Sequence, residues 1–436
     1  TAWIVLGVAA VALLVTGITA VLLLVAAMML AHHTGSFSIP VALESSGGTL
    51  VTTATVLILI AGLAKCAQMP MHFWLPRAMA APTPVSAYLH SAAMVAAGVF
   101  LIARFSPLVA LDGALGDTLI AVGLVSGVIA GIIALTRDDL KQLLAYSTIA
   151  QYGYVVFLLG IGGPAGAGAA AFYVLAHGPA KSALFLVAGT VSEATGERRL
   201  SRLGGLARRM PLTTVAAATA GATLAALPLT VGFFKDELLF AAARDRGEFY
   251  AVAAVALAVL TFGYVWRFFA GIFLGPTRTE ATRVSQALVW PPVVLGLITI
   301  VAGFWLEPVN RLASEAGTAT IGAAVEVHAA AGLAHLGVVL GPARWYRGSL
   351  AVLARVSTDI HDIEQRDLRG RVASVLIPSG ALTVAGRLAT PLSGTYRTGS
   401  IVDDDGWLIL ALVSACAAAI ATTLPRHHLT LVLILS

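Results

Sequence analysis

Four of the 27 basic side chains are lysine, and their placement is the first pointer to chemistry. Lys65, Lys181 and Lys235 lie inside or at the edge of long apolar runs, and Lys141 opens another. The remaining basic side chains are arginines, mostly in polar stretches between the runs. A lysine can give up its proton when desolvated, whereas an arginine stays charged in practice. Two histidines share the apolar runs. His177 stands four residues before Lys181, on the same helix face. His90 lies about one turn into its own run. Histidine titrates near neutral pH and can relay a proton. Asp236 and Glu237 follow Lys235 directly and supply carboxylates. Ionisable groups of these kinds inside apolar segments mark proton or ion pathways.

Each of these residues also has a plainer explanation. Lys65 could snorkel to the interface, but the aromatic-rich Met71–Trp74 that follows is the better interface. No acidic residue precedes Glu44, so a carboxylate for Lys65 has to come from outside this sequence. His90 alone reads as a core histidine. Lys235, Asp236 and Glu237 could be a loop cluster capping the next helix. Lys141 follows Asp138 and Asp139, which can cap a helix starting there, so a loop role and a pathway role weigh equally. His177 and Lys181 are the strongest pair, because two titratable groups one turn apart in an apolar helix are costly unless they line a wet path. Pro179 between them is expected to loosen the helix.

The elements that position these residues follow from composition. Hydrophobic residues make up 58% of the 436 and charged ones 11%, against about 25% in a soluble domain. Mean hydropathy is +0.89. Runs of about 20 apolar residues recur throughout, the length a helix needs to cross the hydrocarbon core. The class is therefore all-α and polytopic in a membrane; the short alternating segments of a membrane β-barrel are absent. Spans are expected at 2–31, 50–70, 83–103, 118–135, 141–161, 166–190, 212–231, 249–274, 287–305, 318–341, 372–390 and 406–424. The first is long for one helix and reads as two pieces. Loops at 71–82, 136–141 and 191–211 carry eight basic residues and those on the opposite side only Arg104, which marks the first set as cytoplasmic. Pro70, Pro76, Pro82 and Pro84 punctuate the second and third spans, and Leu227–Gly232 interrupts the seventh. Such breaks occur where freed backbone groups line a cavity.

The net charge of +5 falls in inter-helix loops and does not indicate nucleic acid. Cys66 and Cys416 lie in separate apolar runs and imply no disulfide framework. No nucleotide, haem, iron–sulfur or metal-ligand pattern is visible, and no nucleophile–base spacing, so no cofactor is expected. The sequence opens inside an apolar run without Met and closes on another, which reads as part of a longer protein.

Four stretches then resemble one family. Lys65–Val95, Asp139–Tyr154, His177–Leu186 and Pro228–Glu237 are similar to signatures of the antiporter-like subunits of Mrp multisubunit Na⁺/H⁺ antiporters and respiratory complex I. The resemblance covers about 50–240. It implies an antiporter-like bundle of fourteen core helices with two inverted five-helix repeats and discontinuous helices. It implies proton or ion translocation through Lys65, His90, Lys141, His177, Lys181, Lys235 and Asp236, with the lysine matching Lys65 paired to a glutamate two helices earlier. Tyr173 stands where some relatives place a second histidine. Further spans after the polar segment, and the Val191–Leu206 loop, resemble the Mrp large A subunit rather than the complex I version. The implied organisation is a translocating domain at 1–341 lacking its first helices, a surface segment at 342–371 and extra membrane helices at 372–436. The implied partners are other antiporter subunits, Na⁺ or K⁺ and H⁺, in a bacterial cell membrane. A complex I-like pump subunit, a subunit of related hydrogenase or inorganic-carbon uptake complexes, and a non-conducting scaffold are the alternatives; a scaffold gains nothing from buried charge.

Overall fold

A computed structural model describes residues 2–91 and 93–327. The segments expected at 342–371 and 372–436 lie outside the described residues. Fifteen α-helices and no strand occur among those described. They begin with α1 (Ala2–Thr34), α2 (Ile39–Leu43), α3 (Thr49–Lys65), α4 (Trp74–Arg77), α5 (Thr83–Ser91), α6 (Met94–Arg104) and α7 (Ser106–Val109). They continue with α8 (Gly113–Thr136), α9 (Leu140–Ile161), α10 (Gly163–Thr195), α11 (Pro211–Leu224) and α12 (Val231–Arg246). The last are α13 (Glu248–Phe273), α14 (Gln286–Phe304) and α15 (Glu307–Ile321). Six segments are long and apolar enough to cross a membrane: the α5–α6 pair, α8, α9, α10, α13 and α14.

Three expectations change. The first run is one helix, α1, rather than two pieces. The interrupted seventh span is two helices, and its second half continues to Arg246, so Lys235 and Asp236 sit in α12 and not in a loop. The span expected from 318 begins instead as the end of amphipathic α15, and residues 322–327 are not helical. A left-handed Gly322 ends that helix in a sequence whose hydropathy alone runs on.

α9 is the most enclosed of the six spans. Glycines bring α8 against it. A Cβ on Gly123 would lie 2.5 Å from the Gly153 carbonyl, and one on Gly153 would lie 2.7 Å from the Gly123 carbonyl. Small residues allow this backbone approach in a membrane, where packing replaces the hydrophobic effect between helices. The enclosure has a consequence: a helix surrounded by protein can carry polar side chains that lipid would not accept.

α3 and α11 stop in the same way. Ala67 and Ala226 have φ of 54° and 56°. Their N–H groups bond to Ala64 and Thr223, and the next N–H groups, of Gln68 and Leu227, reach back to Leu63 and Ala222 at 2.8 and 2.9 Å. This is the bonding of a Schellman stop, with alanine at the position that usually takes glycine. The indole of Trp74 adds a second donor to the Ala64 carbonyl, at 2.9 Å. After the second stop the chain re-enters as α12 against the last turn of α11. A Cβ on Gly232 would overlap the Thr223 carbonyl, so only glycine fits there.

The three loops rich in basic residues meet on one side, in keeping with the expected alternation. The Leu140 N–H donates to the Arg198 carbonyl at 3.0 Å, and the Leu200 N–H to Asp138 at 2.8 Å. The Asp138 carboxylate accepts from the N–H and hydroxyl of Ser201. Asp139 caps α9 and pairs with Arg198 at 2.9 Å. The Lys141 ammonium donates to the Ala81 carbonyl at 2.8 Å, tying in the third loop. Glu197 accepts from the N–H groups of Arg199 and Arg198. Those bonds hold its carboxyl below the usual carboxylate range.

Two outcomes follow. Gly123→Leu or Gly153→Leu should force α8 and α9 apart and cost roughly 1–3 kcal/mol, lowering the melting temperature in detergent. Gly113→Ala, which meets open space, should leave it unchanged. The Glu197 contribution, from a carboxyl whose folded value is lowered, is complete above the ordinary carboxylate range and is lost as pH falls through the lowered value. Exchange of the Arg198 and Arg199 amides should therefore show extra acid-side opening in the native protein, an effect that Glu197→Gln removes.

Candidate functional site

A row of polar side chains crosses the bundle on facing sides of α9 and α10. Tyr173, His177 and Lys181 stand at successive four-residue steps on one face of α10. Ser147, Thr148 and Gln151 face inward from α9, and all three are buried. The row starts at His90 on α5, whose Nδ1 lies 3.3 Å from the Thr148 hydroxyl and whose ring packs on Phe185 at 4.7 Å. Next to Thr148, Ser147 accepts a short hydrogen bond from the Lys181 ammonium. Lys181 is fully buried, and its cation lies 5.9 Å from the Phe185 ring centroid. It makes no ion pair among the described residues.

His177 follows one turn earlier on α10. Its ring meets Tyr152 edge-on at 5.2 Å, and neither nitrogen has a hydrogen-bond partner among the described residues. His90 Nε2 is likewise without one.

The row ends at Lys235. Its ammonium is fully buried and lies 2.6 Å from Asp236 Oδ1. It also lies 3.4 Å from both the Tyr173 hydroxyl and the Leu224 carbonyl, and 4.5 Å from the Tyr173 ring centroid. The break between α11 and α12 makes this possible. It frees the Leu224 carbonyl and turns α12 so that its first turns face α10. A carbonyl at the C-terminal end of a helix favours a cation.

Of the residues expected from sequence, the structure joins His90, His177, Lys181, Lys235 and Asp236 in one row. Lys65 lies apart, half-buried in the last turn of α3. Lys141 is not in the row; it ties two loops together through Ala81. The α9 residues were not expected. Ser147, Thr148 and Gln151, spaced one and three residues apart in an otherwise apolar span, were the available signal. Tyr173 counted in the sequence only as a missing histidine. In the structure it bonds to Gln151 Oε1 at 2.7 Å and faces Lys235.

Residues 7–261 match the family described as NADH:quinone oxidoreductase/Mrp antiporter, TM. The A/B subunit of a probable K⁺/H⁺ antiporter of Rhizobium meliloti is 40% identical over 282 residues, covering 62% of this chain and 28% of that protein. The L subunit of the NADH-quinone oxidoreductase of Pseudomonas aeruginosa is 39% identical over 266 residues, covering 60% and 43%. The solved structure of the Mrp complex from Dietzia sp. DQ12-45-1b superposes with a TM-score of 0.68 at 29% identity, covering 94% of this chain and 51% of that one. This chain thus spans between about a quarter and a half of the relatives it matches. The all-α membrane fold with discontinuous helices and the matched region together identify the chain as a member of the NADH:quinone oxidoreductase/Mrp antiporter transmembrane family.

Proposed function

We propose that this chain is the proton-handling part of the large subunit of a multisubunit monovalent cation/proton antiporter in a bacterial plasma membrane. It is a secondary transporter, driven by ion gradients rather than by a chemical reaction of its own. The other subunits are its partners, and Na⁺ or K⁺ is exchanged for H⁺. The observation that carries this reading is the buried row from His90 through Lys181 and His177 to the Lys235–Asp236 pair.

The chemistry follows from two different kinds of lysine site. Lys181 has a hydroxyl and a ring face for company but no carboxylate among the described residues. A buried cation so placed is costly, which makes its proton easy to pass on. His177 is its i,i+4 neighbour, with Cβ atoms roughly 6 Å apart on one helix face. Two like charges at that distance repel by about 3 kcal/mol at an effective dielectric of 20. Both are then charged together only rarely, so a proton arriving at one drives the other onward. Lys235 is a terminus of the opposite kind, where Asp236 offsets its charge. Lys65, in the last turn of α3, belongs to the same reading as a further lysine beside a helix break. Lys141 serves as a fastening between loops.

The relative in NADH-quinone oxidoreductase supports a second reading, a pump subunit of a redox-driven complex with the same proton row. Purification of the native assembly separates the two: small antiporter subunits accompany the first, quinone-reducing subunits the second.

Cation-dependent ΔpH in everted vesicles carrying the whole complex tests the main reading. Lys181→Ala and Lys235→Ala should each abolish it, by tenfold or more, with assembly intact on native gels. Normal flux in both assembled variants would leave this chain a scaffold.

A further inference from the structure

Lys235 opens a branch of hydrogen bonds that leaves the row and runs to α13. The Lys235 ammonium contacts the Tyr173 hydroxyl at 3.4 Å, and Tyr173 bonds to Gln151 Oε1 at 2.7 Å. Gln151 Nε2 reaches the Thr261 hydroxyl at 3.0 Å and the Tyr264 hydroxyl at 2.8 Å. Tyr264 bonds to Thr261 at 3.0 Å, and Thr261 lies 2.5 Å from the Tyr154 hydroxyl. Tyr154 ends the branch on the Leu257 carbonyl at 2.7 Å. All five side chains beyond Lys235 are buried.

The direction of every bond is determined by what each group can do. An ammonium only donates, so Tyr173 accepts from it and its one proton goes to Gln151. Gln151 must then present its oxygen to Tyr173 and its two N–H bonds to Tyr264 and Thr261. At the far end a carbonyl only accepts, so Tyr154 donates to Leu257 and accepts from Thr261. Thr261 accepts from Gln151 and Tyr264. No donor in the branch is spare. A neutral lysine amine, which can accept, would be better served by a donor, yet the phenol proton is already committed to Gln151.

We propose that Tyr173 is a positioning residue for Lys235, and that Gln151 acts through it: the one-way branch keeps a lone pair of Tyr173 aimed at the lysine and so favours the ammonium form beside Asp236. The inference rests on the proton-handling reading above. Few other groups face the pair. α12 adds Glu237, the next residue after Asp236, and α10 adds His177 one turn beyond Tyr173. His177 interacts electrostatically with Lys235, and Tyr154 and Tyr264 with Asp236. α11 and α14 contain no titratable side chain; α11 contributes the Leu224 carbonyl.

The test is the pH profile of cation-dependent proton flux in vesicles carrying the whole complex. Tyr173→Phe keeps the ring face and removes the acceptor. Gln151→Leu frees the phenol proton to turn toward the lysine. Each should move the alkaline-rising limb to lower pH, by about half to one pH unit, the size of one lost hydrogen bond. The double variant should move it no further than either single one, because both act through the same hydroxyl. Tyr88→Phe, at an exposed position, should leave the profile in place. An unshifted profile, a uniform fall in rate without a shift, or additive shifts would overturn the proposal. If Gln151→Leu fails to assemble, Gln151→Met retains the side-chain length without its acceptor and serves instead. Lys235→Ala in the same series separates the two readings. Lost flux there with unshifted Tyr173→Phe and Gln151→Leu profiles defeats only the positioning role, whereas retained flux defeats the proton-handling reading as well.

Discussion

A lysine ammonium and an aspartate carboxylate, 2.6 Å apart and both buried, are the interaction around which the rest of the bundle is arranged. Neither charge is tolerable at membrane depth without its partner and further hydrogen bonds. The fold provides them by interrupting a helix. A continuous segment from α11 through α12 would keep the Leu224 carbonyl for itself. The stop at Ala226 releases it, Gly232 lets α12 restart against the end of α11, and α14 seals the outside of the break. That last contact is close: a Cβ on Gly303 would meet Thr230 backbone at 2.6 Å. The backbone strain of an alanine at positive φ, of order 1–2 kcal/mol, is one cost of the arrangement. The stop recurs at Ala67 just after Lys65, which links a helix break to a lysine twice in one chain.

Enclosure of α9 is the second condition. Its serine, threonine and glutamine side chains would be poor choices against lipid. The glycine-mediated approach of α8, with α10 and α13 on other sides, places them in a protein interior instead. There they supply hydroxyls and an amide to groups on α5, α10 and α13. Stability alone does not account for the result. Buried ionic groups can often be replaced by well-packed apolar ones at no loss, so the presence of Lys181 without a carboxylate among the described residues argues for a role beyond packing.

The lysines, the His177–Lys181 spacing and the break at Leu227–Gly232 were legible in the sequence because charge and proline in an apolar run have few explanations. The α9 residues were not. A serine or threonine in an apolar helix usually bonds to a carbonyl of its own preceding turn, and nothing local distinguishes one that also faces a lysine. Thr148 does both, bonding to Leu144 and to His90. Lys141 was open for the reverse reason. A helix-opening lysine after two aspartates has the same sequence signature whether it holds a loop or passes a proton, and the structure adds its bond to the Ala81 carbonyl. The limits of α12 and α15 were missed because hydropathy does not report a helix that carries charge into the bundle, nor a left-handed glycine that ends one early.

The residue at position 173 decides how the two halves of the row can communicate, and here it is a tyrosine. A histidine there could accept a proton on one nitrogen and release it from the other. A phenol at neutral pH holds its proton, and here it holds it toward Gln151, whose amide does not titrate. Between His177 and Lys235, Tyr173 is therefore a poor wire. What remains between them is charge: a proton on His177 or Lys181 acts on the Lys235–Asp236 pair through a medium of low polarizability, where a few ångströms of separation still leave interactions of some kcal/mol. On the proposed reading, the pair responds to the charge state of the row rather than receiving its proton along an unbroken line of hydrogen bonds. The tyrosine that interrupts the line also steadies the ammonium that senses it.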